Sequence, residues 1–310
     1  MRITYFLIVL IVTLMLPRPA LAWNKAGHMV SGAIAYNELK QTSPQALTRT
    51  VNILKQHPEF ATRWASQLNQ PSIAPENKDL LLFMLAARWS DDARGTAQDR
   101  PNWHYINLPY QPSRTSSAVP REVPGEENIL SAFAQNLAII QSNAPDSEKA
   151  VAICWIFHLL GDVHQPVHTT KLITANYPEP EGDRGGTRFY IRAREGSGTI
   201  SLHKFWDDLI LGSDRFQTVR NKAIELRQRP SHQRRVLPEL AETQFNNWAK
   251  VESFTLAKQQ AYLNGRLVGS SDRSNGKVLP PNYTTTVQPV AERRIVLSGY
   301  RIADLLDKLF

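Results

Sequence analysis

The chain has 310 residues and a mass of 35.1 kDa; 42% of its residues are hydrophobic, 21% are charged and its mean hydropathy is −0.35. This composition excludes a multi-span membrane protein and a disordered chain. Lys and Arg outnumber Asp and Glu by 36 to 28, a formal charge of +8, and the single cysteine excludes an internal disulfide, so stability must come from a core, from metals or from both.

The first 22 residues predict a cleaved signal peptide. Arg2 is positive, residues 3–16 are almost continuously apolar, and residues 20–22 read Ala-Leu-Ala, a typical cleavage site. The apolar run is short for a transmembrane helix, so an uncleaved anchor is the weaker alternative. Cleavage would leave a secreted or periplasmic chain that begins at Trp23. Without Arg2 and Arg18 it has 34 basic against 28 acidic residues, a charge of +6 that suits a polyanionic substrate or an ordinary basic surface.

The mature chain is predicted to be mostly helical. Ser43 and Pro44 are typical of an N-cap and a first-turn proline. Asp146 is a candidate cap for a helix that is apolar on nearly all sides and should be buried. The predicted helices cover residues 27–39, 44–56, 78–88, 129–141, 146–163, 203–210, 214–227, 238–263 with a break, and 291–309.

Short strands and loops fill the remainder. Residues 187–193 and 199–202 flank a Glu-Gly-Ser-Gly turn and predict one β-hairpin. The stretches 109–127 and 269–287 are predicted loops. Because neither a repeat nor a Pro/Gly-rich linker separates two cores, residues 23–310 are predicted to form one all-α domain with a single short hairpin.

Paired histidines and aspartates point to metal binding. His158 and Asp162 are four residues apart on the predicted buried helix, so they project from one face. Burying them is costly unless they are paired or bind a metal. His203 and Asp207 repeat the spacing. One such pair is more often a hydrogen bond on a helix surface, but two pairs favour a metal site.

Further histidines and one aspartate could complete this site. Pro166 should end the buried helix and turn His168 back towards His158 and Asp162. The other candidate ligands are His28, Asp91 and His104, which lie upstream in the sequence. His164 is a ligand by type, but its helix phase differs from that of His158. The residues expected to take no part are His57 and His232, at the surface, and Cys154, inert in the core.

Six short motifs occur in order along the mature chain: Trp23-Asn-Lys-Ala-Gly-His28, Arg88-Trp-Ser-Asp91, Trp103-His104-Tyr-Ile-Asn107, His158-Leu-Leu-Gly-Asp162, Gln165-Pro-Val-His168 and Leu202-His203-Lys-Phe-Trp-Asp207. Any one of them is weak, but the ordered set resembles the signature of zinc-dependent, single-strand-specific nucleases of the S1/P1 family, which is related to zinc phospholipase C. Weaker likeness at residues 248–253 and 303–306 extends the resemblance over essentially the whole mature chain.

The resemblance implies a cluster of three Zn²⁺ ions per chain. One zinc would bind Asp91, His104 and His158. Another would bind His28 with the α-amino and carbonyl groups of Trp23, and the third would bind His168, His203 and Asp207. Asp162 would bridge two of the three ions. The amine of Trp23 exists only after cleavage at Ala22, which gives the signal peptide a chemical role.

The implied activity is hydrolysis of single-stranded RNA and DNA to 5′-mononucleotides, with 3′-nucleotidase activity as a further expectation. Two zinc ions about 3.5–4 Å apart can share a water and lower its pKa, so a metal-bridging hydroxide beside Asp162 would attack the phosphorus. Arg94 would bind the phosphate, and Tyr105 would stack on a base. A surface arginine and a core tyrosine are the respective alternatives.

Two departures from the family pattern fall on expected substrate contacts. Asn107 stands where the family often has an aspartate against the base edge, and Thr187 follows two glycines where the family has asparagine. Zinc phospholipase C is the enzymatic alternative, and a structural zinc protein is the non-enzymatic one. Neither a stable membrane anchor nor an obligate protein partner is expected.

Overall fold

The computed structural model describes residues 23–113 and 127–310, and helices dominate this part of the chain. The longer helices are α1 (Lys25–Thr42), α2 (Pro44–Leu54), α3 (Lys78–Asp92), α4 (Ile129–Gln141), α5 (Asp146–Val163), α6 (Leu202–Asp207), α7 (Phe216–Gln228) and α8 (Tyr283–Leu309). The predicted all-α class is confirmed. The predicted signal peptide, and the predicted loop from residue 114 to 126, lie outside the described residues.

Helix α1 lies at the centre of the fold and packs against α3, α7 and α8. Asn24 begins it, because its side-chain oxygen accepts a hydrogen bond from the Gly27 backbone at 3.0 Å. Gly32 allows the close approach to α3, since a Cβ at this position would lie 2.7 Å from the carbonyl oxygen of Phe83. This packing carries His28 into the core.

Helix α5 is buried along most of its length, as its sequence predicts. Its N-cap is Pro145, not Asp146. Asp146 lies in the first turn instead, where its charge favours the helix dipole and pairs with Arg49 at 3.0 Å. Ser43 likewise makes no capping bond with its side chain, although Pro44 does begin α2. No helix in the described ranges combines the length and apolarity needed to cross a bilayer.

Strands β1 (Leu108–Tyr110) and β2 (Thr170–Leu172) pair in parallel. His104 and His168 each lie in a short 3₁₀ turn just before one of these strands, Pro101–His104 and Pro166–Thr169. The pairing therefore brings the two turns together, and the Ile106 amide donates to the His168 carbonyl at 2.8 Å. The loop predicted from residue 109 is wrong at its start, because β1 extends to Tyr110.

Strands β3 (Tyr190–Arg192) and β4 (Thr199–Ser201) form the predicted antiparallel hairpin. A third strand, β5 (Lys277–Val278), joins β3 in parallel. It falls within a predicted loop, so the expectation of a lone hairpin is corrected. Helix α6 follows β4 directly, and the hairpin thereby fixes the direction in which α6 presents His203.

The C-terminal part departs furthest from prediction. Helix α8 begins at Tyr283, not after Pro289, so the loop predicted over residues 269–287 is wrong at its end. Residues 245–261 are helical, in a mixture of short α and π turns. His57 and His232, expected at the surface, are only 3% and 4% exposed. His57 packs between two tryptophan rings, and His232 donates to the carbonyl of Leu226.

A candidate metal centre

Eight buried side chains from distant parts of the sequence meet in the middle of the fold. Each belongs to a residue that is at most 4% exposed. They are His28, Asp91, His104, His158, Asp162, His168, His203 and Asp207, the eight side chains predicted as ligands. Their ligand atoms form three groups, each spanning no more than 4.8 Å: His28 with Asp91 and His158; His104 with His158 and Asp162; and His168 with His203 and Asp207.

Asp162 is the hub of this centre. Its Oδ1 atom lies 3.3 Å from Nε2 of His28 and 3.8 Å from Nδ1 of His168. Its Oδ2 atom lies 3.0 Å from Nδ1 of His104 and 3.3 Å from Nε2 of His158. One carboxylate therefore faces histidines of all three groups, which is the placement that a bridging ligand requires.

Backbone carbonyls fix the tautomers of three histidines. A carbonyl oxygen can only accept, so each Nδ1 must carry the proton and each Nε2 must offer its lone pair to the centre. This second hydrogen bond is the usual support of a metal-binding imidazole. The donations run from His158 to Ala87 at 3.0 Å, from His168 to His104 at 2.8 Å and from His203 to Gly185 at 2.7 Å.

Several polar atoms of the centre are buried without a hydrogen-bond partner among the described residues. They are both ring nitrogens of His28, Nε2 of His104, Nε2 of His168, Oδ2 of Asp91 and Oδ1 of Asp162. Leaving such atoms unsatisfied is costly. Imidazole nitrogen and carboxylate oxygen are the donors that Zn²⁺ accepts, so these residues fit a metal.

The electrostatics of the centre point the same way. Burial raises the pKa of Asp91 to about 6, and it raises the pKa values of Asp162 and Asp207 well above the usual range. Burial also lowers the pKa of His158 to about 3 and that of His168 to about 4. The centre therefore holds neutral imidazoles beside three carboxylates whose charged form is disfavoured by burial. A cation would stabilise the carboxylates and use the imidazole lone pairs.

Arg94 lies at the edge of the centre. Its Nε and Nη2 atoms are each 3.1 Å from Oδ1 of Asp91, and its side chain is only 16% exposed. The alternative of a surface arginine is therefore wrong. The guanidinium places a permanent positive charge beside a candidate ligand.

Trp23 lies against the last turn of α5. Its indole Nε1 donates to the carbonyl of Gly161 at 2.9 Å, and the next amide, that of Asn24, donates to the carbonyl of Asp207 at 3.2 Å. Trp23, the first residue of the predicted mature chain, thus contacts the residue before Asp162, and its neighbour Asn24 contacts Asp207. A Cβ on Gly161 would lie 2.5 Å from the His28 ring, so only glycine fits here.

A glycine turn supports the group of His168 and His203. Gly185 has a φ of +62°, and a Cβ there would lie 2.6 Å from the Val167 carbonyl oxygen. Thr187, at the end of this turn, is half-buried. Thr187 directly follows Gly186, whose carbonyl accepts a hydrogen bond from the His203 amide at 3.3 Å.

The remaining expected substrate residues, Tyr105 and Asn107, follow His104 in the chain. Tyr105 is half-buried and its hydroxyl donates to Asn102 at 3.1 Å, whereas Asn107 is exposed. Tyr105 is therefore not a fully buried core aromatic. Cys154 is buried in α5, as expected.

Two supporting residues were given no role by the sequence. Gln165 donates from Nε2 to Oδ1 of Asp207 at 2.8 Å. Asp183 is fully buried and accepts from the Tyr262 hydroxyl at 2.6 Å and from the Leu172 amide at 2.8 Å. In the sequence, Gln165 begins the Gln165-Pro-Val-His168 motif, and Asp183 lies two residues before Gly185. These positions were the only signals in the sequence that either residue supports the centre.

Comparison with known proteins gives one consistent result. The family model described as S1/P1 Nuclease matches residues 23–310. Endonuclease 3 of Arabidopsis thaliana is 23% identical and the match covers 98% of this chain and 95% of the relative. Endonuclease 4 of the same organism is 24% identical, with 94% and 90% covered. Endonuclease 5 is 26% identical over 59% of this chain and 57% of the relative.

Proposed function

The chain belongs to the S1/P1 nuclease family, and on that basis we propose that this hydrolase of phosphodiester bonds cleaves single-stranded RNA and DNA to 5′-mononucleotides with three zinc ions. 3′-Nucleotidase activity is part of the proposal. The observation that carries it is the buried centre around Asp162, in which atoms of five residues converge without a hydrogen-bond partner among the described residues.

The proposed ligands are the eight side chains of the centre together with the amine and carbonyl groups of Trp23. The group of His168, His203 and Asp207 corresponds to one proposed zinc site. The other two share the region around Asp162, whose carboxylate faces both. When bound, zinc supplies an activated water as the nucleophile and stabilises negative charge on the phosphate oxygens.

Several side chains of the centre are oriented by hydrogen bonds within the protein. His158, His168 and His203 are held in one tautomer by backbone carbonyls, so no proton has to move before they bind. Arg94 is oriented by Asp91 and would contribute a fixed positive charge to the substrate phosphate. Because the centre is preorganised and buried, charge stabilisation there is stronger than in water.

Selectivity for single strands has a physical reason. A base in a duplex must leave the stack before it can reach a side chain beside a buried centre, whereas an unpaired strand is already free to do so. Tyr105 follows His104 directly and offers a ring on which any base can stack, worth about 1–3 kcal/mol. Asn107 and Thr187 are the proposed determinants of base and phosphate position.

Cleavage of residues 1–22 and export to the periplasm or medium complete the proposal. The support is chemical: Trp23 is buried against Gly161, so the amine created by cleavage would begin beside the centre. A chain retaining residues 1–22 has an amide nitrogen at this position, which is a poor metal ligand.

The test uses the chain from Trp23 to Phe310, before and after zinc is removed with a chelator and restored. Single-stranded RNA, single-stranded DNA, duplex DNA and phosphatidylcholine vesicles are offered, and products are identified by chromatography. The expected result is zinc-dependent release of 5′-mononucleotides from both single strands and slow reaction of the duplex.

Three outcomes contradict the proposal in different ways. Equal hydrolysis of the duplex removes the strand selectivity. Release of phosphocholine without nucleotides indicates a phospholipase C. Bound zinc with no hydrolysis of any of the four substrates indicates a structural zinc protein.

A further inference from the structure

A second buried polar cluster lies just beyond the last turn of α5. Its members are His164, Glu252, Ser253, Arg294 and Arg301, called here the arginine cluster. Four of them are at most 3% exposed, and the side chain of Glu252 is 16% exposed. None of them is a proposed metal ligand. Residues 252 and 253 end the weaker motif at 248–253, for which the nuclease activity supplies no role.

The cluster supplies hydrogen-bond donors to backbone carbonyls at the C-terminal end of α5. The last four carbonyls of a helix have no partner within it, and here each has one from outside the helical ladder. Leu160 accepts from Nδ1 of His164 at 2.7 Å, Gly161 from Nε1 of Trp23 at 2.9 Å, Asp162 from the Gln165 amide at 3.0 Å and Val163 from Oγ of Ser253 at 2.5 Å. Arg294 adds a bond to the carbonyl of His164 at 3.3 Å.

The cluster is also locked internally. Glu252 accepts from Arg294 at 2.5 Å and from both terminal nitrogens of Arg301, at 2.8 and 2.7 Å. Arg294 donates to Ser253 at 2.8 Å, which orients the hydroxyl that holds Val163. Arg301 donates to Nε2 of His164 at 2.7 Å and stacks on Trp248. Bidentate arginine bonds of this kind fix geometry as well as charge.

We propose that Ser253 and Arg294 are positioning residues of the metal centre. They hold the carbonyls of Val163 and His164, which follow Asp162 directly and begin the turn that carries His168. Asp162 must face four histidines at once, so a small rotation of this last turn would disturb several ligand contacts together. The inference rests on the proposed metal centre and goes beyond it by assigning its support.

The decisive comparison is Ser253→Ala against Ser298→Ala. Both serines are fully buried, and Oγ of Ser298 has no hydrogen-bond partner among the described residues, so the second variant removes the same atom where it holds nothing. Two readouts are taken on the zinc-loaded proteins: the rate of zinc transfer to a coloured chelator, and the visible absorption spectrum after replacement of zinc by cobalt.

We expect Ser253→Ala to release zinc about tenfold faster or more, as is typical for residues that support a metal ligand, and to change the cobalt spectrum. Ser298→Ala should match the unmodified protein in both. Arg294→Lys keeps the charge but cannot make the three bonds to His164, Glu252 and Ser253, so it should act in the same direction.

Melting of the metal-free proteins separates positioning from general instability. The two serine variants should then melt within a few degrees of each other. If Ser253→Ala equals Ser298→Ala in zinc release and spectrum, the inference is overturned, whatever Arg294→Lys does. If the unmodified protein binds no zinc, the proposed function itself fails and the inference fails with it.

Discussion

The metal centre and the arginine cluster are both buried and polar, and both meet at the C-terminal end of α5. Among the described residues, one atom of the arginine cluster, Nε of Arg301, has no hydrogen-bond partner, against six atoms of the metal centre. In the arginine cluster, Glu252 balances two arginines and each carbonyl has a donor. In the metal centre, the ring nitrogens of His28, Nε2 of His104 and Oδ1 of Asp162 are among the atoms that have no hydrogen-bond partner in the described part of the chain. Buried polar atoms normally find partners. The comparison teaches that partnered clusters support a fold, whereas convergent unpartnered atoms mark a ligand site.

Asp162→Asn, in the metal centre, should cause the largest loss of activity. The amide keeps the shape but loses the charge that faces all three groups of the centre. We expect hydrolysis of single-stranded RNA to fall by more than about 100-fold, beyond the 10- to 100-fold cost of residues that only support a ligand, with loss of bound zinc measured by mass spectrometry. Arg94→Ala should cost less, because Arg94 is proposed to contact the phosphate and is not a proposed metal ligand. The reverse order would refute the bridging role of Asp162.

The loss of a carboxylate should affect the stability of the metal-free protein differently in the two clusters. Asp162→Asn removes a carboxylate whose pKa burial raises far above the usual range, so it should not destabilise the metal-free fold. Glu252→Gln leaves two buried arginines without their counter-charge, and it should lower the free energy of unfolding by about 3 kcal/mol. Urea unfolding of both metal-free variants measures this. A larger loss in Asp162→Asn would break the comparison.

Blocking the amine of Trp23 should weaken the metal centre alone. With Gly-Ser added before Trp23, we expect activity and zinc affinity to fall about tenfold or more, at least the cost of losing a residue that only supports a ligand, while the arginine cluster and the melting of the metal-free protein stay unchanged. The same dipeptide after Phe310 is the control. Full activity in the N-terminally extended protein would show that the amine is not a ligand.

The smallest expected effect concerns His57, a buried histidine outside both clusters. Burial lowers its pKa to about 4, so between pH 6.5 and 4 the unfolded chain binds a proton that the folded chain excludes, and stability falls as the pH falls. His57→Asn should remove about 2 kcal/mol of this loss between pH 7 and 4.5. Urea unfolding of the metal-free proteins at the two pH values tests it; an unchanged pH dependence would contradict it.

Local patterns in the sequence were enough to predict most helices and the set of candidate ligands. Apolar spacing placed α4 at Ile129–Gln141, and Pro166 correctly placed the end of α5 before His168. The i, i+4 pair of His158 and Asp162 predicted a shared face. Residue types and spacing also named six further candidate ligand side chains, and the ordered motifs then sorted them into three expected zinc sites.

Only the tertiary structure decided which polar residues are satisfied. Ser253 meets Val163 across 90 positions and Arg301 meets His164 across 137, and no local periodicity records such pairings. The same holds for the burial of His57 and for β5, which exists only because β3 lies beside it. Local spacing tells which face of an element turns inward; what that face meets depends on how distant elements pack, and this determines whether a buried charge supports the fold or is left for a ligand.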